Sequence, residues 1–399
     1  MHLERVKNAL EEIGCIGKDP EGGVSRVFGS EFIEAGQMRL QQYFESANLK
    51  SWIDSVGNVH GVLECGNPSA QEILIGSHYD TVKQGGLFDG LMGVVAGVEV
   101  ARELQKQNVE LNRNIHIIAT NGEEGNDLGG TFGSRAMMGL LNLSDENYLE
   151  KAKEFGYSKE DLESAILDVD KAICYLELHI EQGPTLDKYG EQIGVVTGIV
   201  GLRRYKVVVH GISNHAGTTM MEDRDDAMVS AAKVITMADQ LARELGNHFV
   251  ETIGKLEVFP GTVATIPNRV EMVMEIRNEE ESLMDCFIQE FMERLQGIAK
   301  ADVSPIVAKA PVKCSGKIAK MVERVCDEDS LRYRIMPSGA THDGNAMATK
   351  MPVGMIFVPS VKGISHAKEE QTEWDDIYTG ISVLYKVVKE MTEREGSLC

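Results

Sequence analysis

Short apolar runs alternating with helix-length amphipathic segments constrain this chain more than any other feature. QEILIG (71–76) reads as a buried strand, Gly90–Gln107 as a helix, NIHIIATN (114–121) as a second strand and CYLELHIE (174–181) as a third. Runs without polar alternation suit strands covered on both faces, and strand–helix–strand order requires a crossover, so this half predicts a largely parallel sheet in an α/β domain. In open sheets of that kind, ligands and chemistry gather at the carboxyl ends of the strands.

From about residue 204 the texture changes. RYKVVVHG alternates, a long amphipathic helix follows over about 224–244, RVEMVMEIRN alternates again, and a second helix covers about 280–299. This strand-helix-strand-strand-helix order predicts a small α+β sandwich with one antiparallel sheet. After Cys314 the first pattern returns, with a helix at 316–328, a strand near 331–336, MPVGMIFV (351–358) and a last helix from about 374. The expected organisation is a discontinuous domain of residues 1–203 and 316–399, interrupted by an inserted domain of 204–315.

Composition narrows the function classes. With 43% apolar and 26% charged residues the chain is an ordinary globular one, and no apolar stretch approaches the roughly 20 residues of a membrane span. A net charge of −22 without any Lys/Arg run speaks against nucleic acid and anionic membranes as partners. The opening MHLERVKNALEEIG lacks the apolar core of a secretory signal and reads as the first helix of a cytoplasmic protein. Seven cysteines, at 15, 65, 174, 286, 314, 326 and 399, are scattered without a CxxC pair, which fits a reducing compartment and not a cysteine zinc site.

Polar groups stand where a plain core would not place them, directly after apolar strands and beside glycines. They are His78 and Asp80 in GSHYDT, Asp89 in GGLFDG, Glu123 and Glu124 in NGEEG, His179 in ELHIEQG and His366 in GISH. Imidazoles and carboxylates in such number, with one carboxylate to share, are what a pair of Zn²⁺-like ions requires.

The motifs GSHYDTV, GGLFDGLMGVVAG, ELHIEQGP, RRYKVVVHGISNHAGTT and PSVKGISHAKEEQT, in this order, resemble the dinuclear-zinc aminoacylase and carboxypeptidase peptidase family. Within it they resemble the hydantoinase/carbamoylase branch of N-carbamoyl-L-amino-acid hydrolases and allantoate amidohydrolases. The likeness runs from about residue 20 to 390, and His179 in ELHIEQG is its most diagnostic residue, since other branches place an acidic ligand there. The resemblance implies two divalent ions per chain (Zn, Mn, Co or Ni), with His78 and His179 on one, Glu124 and His366 on the other, and Asp89 between them. Asp80 would orient the His78 imidazole and Glu123 would be the general base. His215, in SNHAGTT, would reach the active site of the partner subunit and steady the oxygen of the tetrahedral intermediate, which makes the insertion a lid and the seat of a homodimer. Arg277, Arg204, Gln182 and Thr341 match positions that grip an anionic ureido substrate, arginine being suited to a carboxylate by its planar fork.

Four positions depart from the family pattern. Ala264 replaces an Asn that contacts substrate, Thr341 stands in SGATHDG where glycine is usual, Met220 replaces a proline, and Gly122 replaces the first of three acidic residues. None is an expected metal ligand, and two line the substrate pocket. The reading is therefore an amidohydrolase that opens the C–N bond of an N-carbamoyl-L-amino acid, not a peptide bond, releasing amino acid, ammonia and carbon dioxide. GSRAMMG (133–139) favours that substrate over allantoate. An allantoate amidohydrolase, an aminoacylase or dipeptidase, and a silent binding protein that keeps the fold are the other readings.

Overall fold

The computed structural model describes residues 2–246 and 248–393, so Cys399 lies outside the described residues. Two compact units result, one of Met1–Thr197 with Lys313–Cys399, the other of Gly198–Val312. The insertion begins and ends a few residues earlier than the expected 204–315, and strand pairing is the reason. Gly201 already lies opposite Asn278 within the insertion, and Cys314 donates its N–H to the Thr197 carbonyl at 2.9 Å, back in the first unit.

In chain order the strands are β1 (Lys50–Ile53), β2 (Val59–Leu63), β3 (Glu72–His78), β4 (Asn114–Thr120), β5 (Ala172–Ile180), β6 (Ile193–Ile199), β7 (Gly201–His210), β8 (Val250–Phe259), β9 (Arg269–Asn278), β10 (Lys300–Lys309), β11 (Val312–Lys313), β12 (Tyr333–Ser338) and β13 (Val353–Val358). The first unit carries a sheet of order β1-β2-β4-β3-β5-β13-β6-β11, with β12 also on β6. Its centre is parallel: β3 pairs with β4 and β5, and β13 with β5. Both flanks are antiparallel, through β1–β2–β4 on one side and β13–β6 on the other.

The parallel strands are buried because their sequences are apolar on both faces. Ile73, Ile75, Ile115, Ile117, Leu178 and Val358 are all fully enclosed, each contributing roughly 1.5–3 kcal/mol of burial. Helix Leu91–Lys106 lies close against this sheet because glycine faces it. A Cβ on Gly93 would stand 2.3 Å from the Leu178 carbonyl oxygen and 2.9 Å from the Ser77 Cβ.

The insertion has its own antiparallel sheet, ordered β10-β7-β9-β8. Val207, Val209, Met272, Met274 and Ile276 form its apolar face and pack under helices Ala227–Leu245 and Glu281–Gln296, where Phe287 and Phe291 are fully buried. The intervening residues carry charge, as in Lys206–Glu271 at 2.8 Å. Strand β10 was not in the expected order. Its sequence KADVSPIVAK is weakly apolar and holds Pro305, which an edge strand tolerates at a register shift. No helix among the described residues is long and apolar enough to cross a membrane.

Replacing Gly93 by Ala forces the helix off the sheet or the Leu178 strand out of line. The expected cost is about 1–3 kcal/mol of stability, read from urea unfolding of the full chain. A variant as stable as wild type would show that this contact does not set the helix position.

Candidate metal centre

Parallel pairing brings the carboxyl ends of β4, β3, β5 and β13 to one edge, with His78 opposite Thr120 and His179 opposite Phe357. The chain then adds the turn Asn121–Glu124 after β4, the loop holding Asp89 after β3, and the loop holding His366 after β13. Residues far apart in sequence thereby meet.

Asp89 is buried at their centre. Its Oδ1 stands 3.2 Å from His179 Nε2 and 3.7 Å from His78 Nε2, and its Oδ2 stands 3.2 Å from His366 Nε2. Glu124 Oε1 lies 3.3 Å from the same His366 nitrogen, and Glu123 Oε2 lies 4.0 Å from His78 Nε2. Gln182 completes the ring by donating from Nε2 to both Asp89 oxygens, at 3.3 and 3.2 Å. Gln182 and His366 hold φ values of 58° and 54°, a left-handed backbone that costs non-glycine residues about 1–3 kcal/mol.

Hydrogen bonding fixes which imidazole nitrogen faces the centre. His78 Nδ1 donates to the Asp80 carbonyl at 3.0 Å and His179 Nδ1 to the Ile180 carbonyl at 2.9 Å, because a carbonyl can only accept. Each neutral ring then turns a lone pair inward from Nε2. The His179 Nε2 atom is buried and makes no hydrogen bond, even to the Asp89 oxygen 3.2 Å away. An unpartnered buried lone pair aimed at a carboxylate is what a cation between them resolves.

Charge leads to the same conclusion. Burial would raise Asp89, but the facing imidazoles of His179, His366 and His78 hold it well below its ordinary value. Burial lowers His78, yet Asp89, Glu123 and Asp80 outweigh it and draw it well above, while Asp89 and Glu124 push His366 up to about 10. Divalent cations meet this demand for positive charge with the rings neutral. The ligand atoms of His78, Asp89 and His179 lie within 4.8 Å of one another, as do those of Asp89, Glu124 and His366, so the residues present fit such ions. Glu177, His179 and His342 also gather within that distance. There, however, Glu177 already accepts from Ser77 Oγ and the Gly344 N–H, and His342 Nε2 is engaged by Ser338 Oγ.

Glu123 differs from its neighbours. Burial first, then Asp343, Glu124 and Asp80, raise its carboxyl well above the ordinary value against the pull of His78. It is held beside the ligands as a group ready to gain a proton.

Asp80 does hold the His78 imidazole, through its main-chain carbonyl. Its carboxylate oxygen lies 3.7 Å from His78 Nδ1, and the Asp80 carbonyl makes the hydrogen bond. The carboxylate instead accepts the N–H groups of Gly122 and Glu123 at 3.0 Å and of Glu124 at 3.1 Å, so it shapes the turn that presents both glutamates. Thr341 is half-buried in the loop before His342. His215, Arg204 and Arg277 belong to the insertion. Both arginines there face one carboxylate: Arg204 Nε is 2.5 Å from Glu275 Oε2 and Arg277 Nε is 2.7 Å from Glu275 Oε1. Sequence reasoning missed the buried His342, Asp343 and Glu177. The HD pair within SGATHDG was the one available signal.

With this geometry established, the chain can be set beside known proteins. Residues 74–390 match Peptidase family M20/M25/M40, and the chain belongs to that family. It is 37% identical to an N-carbamoyl-L-amino acid amidohydrolase of Geobacillus stearothermophilus, over 98% of this chain and 99% of that one. It is 31% identical to the allantoate amidohydrolase of Escherichia coli, over 96% of each. Among solved structures, a hydantoinase/carbamoylase family amidase from Burkholderia multivorans superposes with a TM-score of 0.90 at 27% identity, covering 99% of both chains.

Gly90, next to Asp89, tests the packing of the centre. It has φ 66°, and a Cβ there would lie 2.5 Å from the His78 ring. Gly90→Ala is expected to displace that imidazole and lower bound metal, measured by elemental analysis after loading and desalting. Full occupancy in the variant would mean that His78 does not bind.

Proposed function

We propose that this protein is a dinuclear metallohydrolase that cleaves the C–N bond of an N-carbamoyl-L-amino acid. The observation that carries the reading is the position of Asp89: each of its oxygens faces a different imidazole, and the protonatable Glu123 stands alongside. His78 and His179 would hold one ion, Glu124 and His366 the other, with Asp89 available to both. Zn, Mn, Co and Ni all suit these ligands. Such ions supply Lewis acidity at the substrate carbonyl and lower the pKa of the attacking water.

The chain's own groups do the rest. Glu123 takes the proton of the attacking water and returns it to the leaving nitrogen, for which its upward-shifted carboxyl is matched. Gln182 and the Thr341 loop offer polar groups to the ureido substrate, and Arg277 and Arg204, which flank Glu275 in the insertion, supply guanidinium groups suited to its carboxylate. Water adds to the carbamoyl carbon and ammonia leaves. The carbamate formed breaks down to carbon dioxide and the free amino acid. The compartment on this reading is the reducing cytoplasm.

Glu123→Gln keeps the shape and removes the proton acceptor. It is expected to retain metal content and lose about 10²–10⁴ in kcat on a carbamoyl amino acid, read as ammonia release. Near wild-type kcat would remove Glu123 from the role. Assaying allantoate, acyl amino acids and dipeptides in parallel tests the substrate, and a preference for any of these over every carbamoyl amino acid would replace it.

The same reading makes the insertion a lid and dimer contact, with His215 serving the centre of the second subunit. In its own unit His215 is exposed, and its Nδ1 accepts the Gly217 N–H at 3.1 Å. The ring proton is therefore on Nε2 and free to be donated to a developing oxyanion. Mixing inactive His215→Ala and Glu123→Gln chains should then restore roughly a quarter of wild-type activity, since half the dimers are mixed and each has one intact site. No recovery after demonstrated subunit exchange would place His215 elsewhere.

A further inference from the structure

One buried acid near the centre is neither a ligand nor a base in the reading above. Glu370 is 7% exposed. Its Oε1 accepts the main-chain N–H groups of Phe88 and Asp89, both at 3.0 Å, and its Oε2 accepts the Ser365 hydroxyl at 3.1 Å. It is thus held at once to the loop that carries Asp89 and to the residue before His366, although 281 positions separate it from Asp89.

The loop is shaped to receive it. A Cβ on Gly86 would fall 2.0 Å from Glu370 Oε1, so only glycine admits the carboxylate. On the other side Glu370 closes a short turn, its own N–H bonding to the Ala367 carbonyl at 3.0 Å, and this turn contains none of the strand or helix that anchors His78 and His179. Asp89 and His366 are both borne on loops. The 3.2 Å approach of Asp89 Oδ2 to His366 Nε2 is supported from the β5 side by Gln182, whose Nε2 reaches both residues, and otherwise by contacts between those two loops. Glu370, with Ser365, supplies them.

We propose that Glu370 is a positioning residue that sets the geometry of the Asp89–Glu124–His366 group, and with it the affinity of one of the two ions. The inference rests on the dinuclear reading above. The other group, His78, Asp89 and His179, takes two of its members from β3 and β5 and depends on Glu370 less. Removing the carboxylate releases two N–H donors and a hydroxyl and lets the two loops drift apart. Outer partners of metal ligands typically govern affinity by about 10–100-fold.

The test is a competition titration of metal-free protein with Zn²⁺ against a chromophoric chelator, which reads two dissociation constants separately, alongside thermal unfolding of the metal-free chains. Wild type should bind two ions; fewer than two would overturn the dinuclear reading itself and is distinguishable from failure of this inference. Glu370→Ala should weaken one ion by about 10–100-fold and leave the other within a few fold. Glu370→Gln should restore the weak ion, because its amide oxygen can accept both N–H groups while its NH₂ donates to Ser365 Oγ. A purely structural role would lower the melting temperature without separating the two constants. Both constants unchanged in Glu370→Ala, or both weakened equally, overturns the proposal. If Glu370→Ala does not fold, Ser365→Ala decides: selective weakening of one ion supports the clamp, and two unchanged constants end it.

Discussion

The buried carboxylate of Asp89 sets the terms for everything around it. Burial alone would push it towards the neutral acid, where it could serve no cation. Three imidazoles converge on it and reverse that tendency, and each has to be delivered from a different segment of chain. The parallel register delivers His78 and His179. A left-handed kink delivers His366, and a glycine with positive φ lets the chain turn from Asp89 straight into the next helix. The left-handed backbone at Gln182 and His366 falls at two of the residues that face Asp89.

Much of this could be read in the sequence. Apolar strands, glycines and terminal polar residues are local signals, so His78, Asp89, Glu123, Glu124, His179 and His366 stood out, and their strands and helices fell close to where they were expected. What could not be read depends on partners chosen by tertiary structure. That the Asp80 carboxylate takes its hydrogen bonds from the Gly122–Glu124 turn, leaving its carbonyl to accept from His78, is decided by where β4 ends relative to β3. That Arg204 and Arg277 share Glu275 is decided by the register of β7 on β9. Glu370 sits in a polar stretch, KEEQT, where two adjacent glutamates look alike. Only the cleft left by Gly86 distinguishes the buried one from the exposed one.

The insertion shows the complementary case. Its apolar alternation named β7 and β9, the central strands, because their buried faces are strict. The edges, β8 and β10, carry mostly exposed side chains and a register shift each, so their pattern is diluted. Sheet centres advertise themselves in sequence and sheet edges do not.

The order of the strands in the first sheet also bears on how the chain is made. β13, residues 353–358, follows every other described strand in the chain and so leaves the ribosome after them, yet it lies between β5 and β6, near the middle of the sheet. Until it arrives, β5 presents an apolar, unpaired edge, the kind of surface that captures other chains. Meanwhile the insertion, whose sheet and helices are contiguous in sequence, has everything needed to complete its own core. The nascent protein is thus expected to pass through a stage with a finished insertion and a gapped first unit, in which His366 and Glu370 do not yet exist. The full set of residues around Asp89 can assemble only after that stage, and chaperone dependence should centre on the interval before β13 emerges.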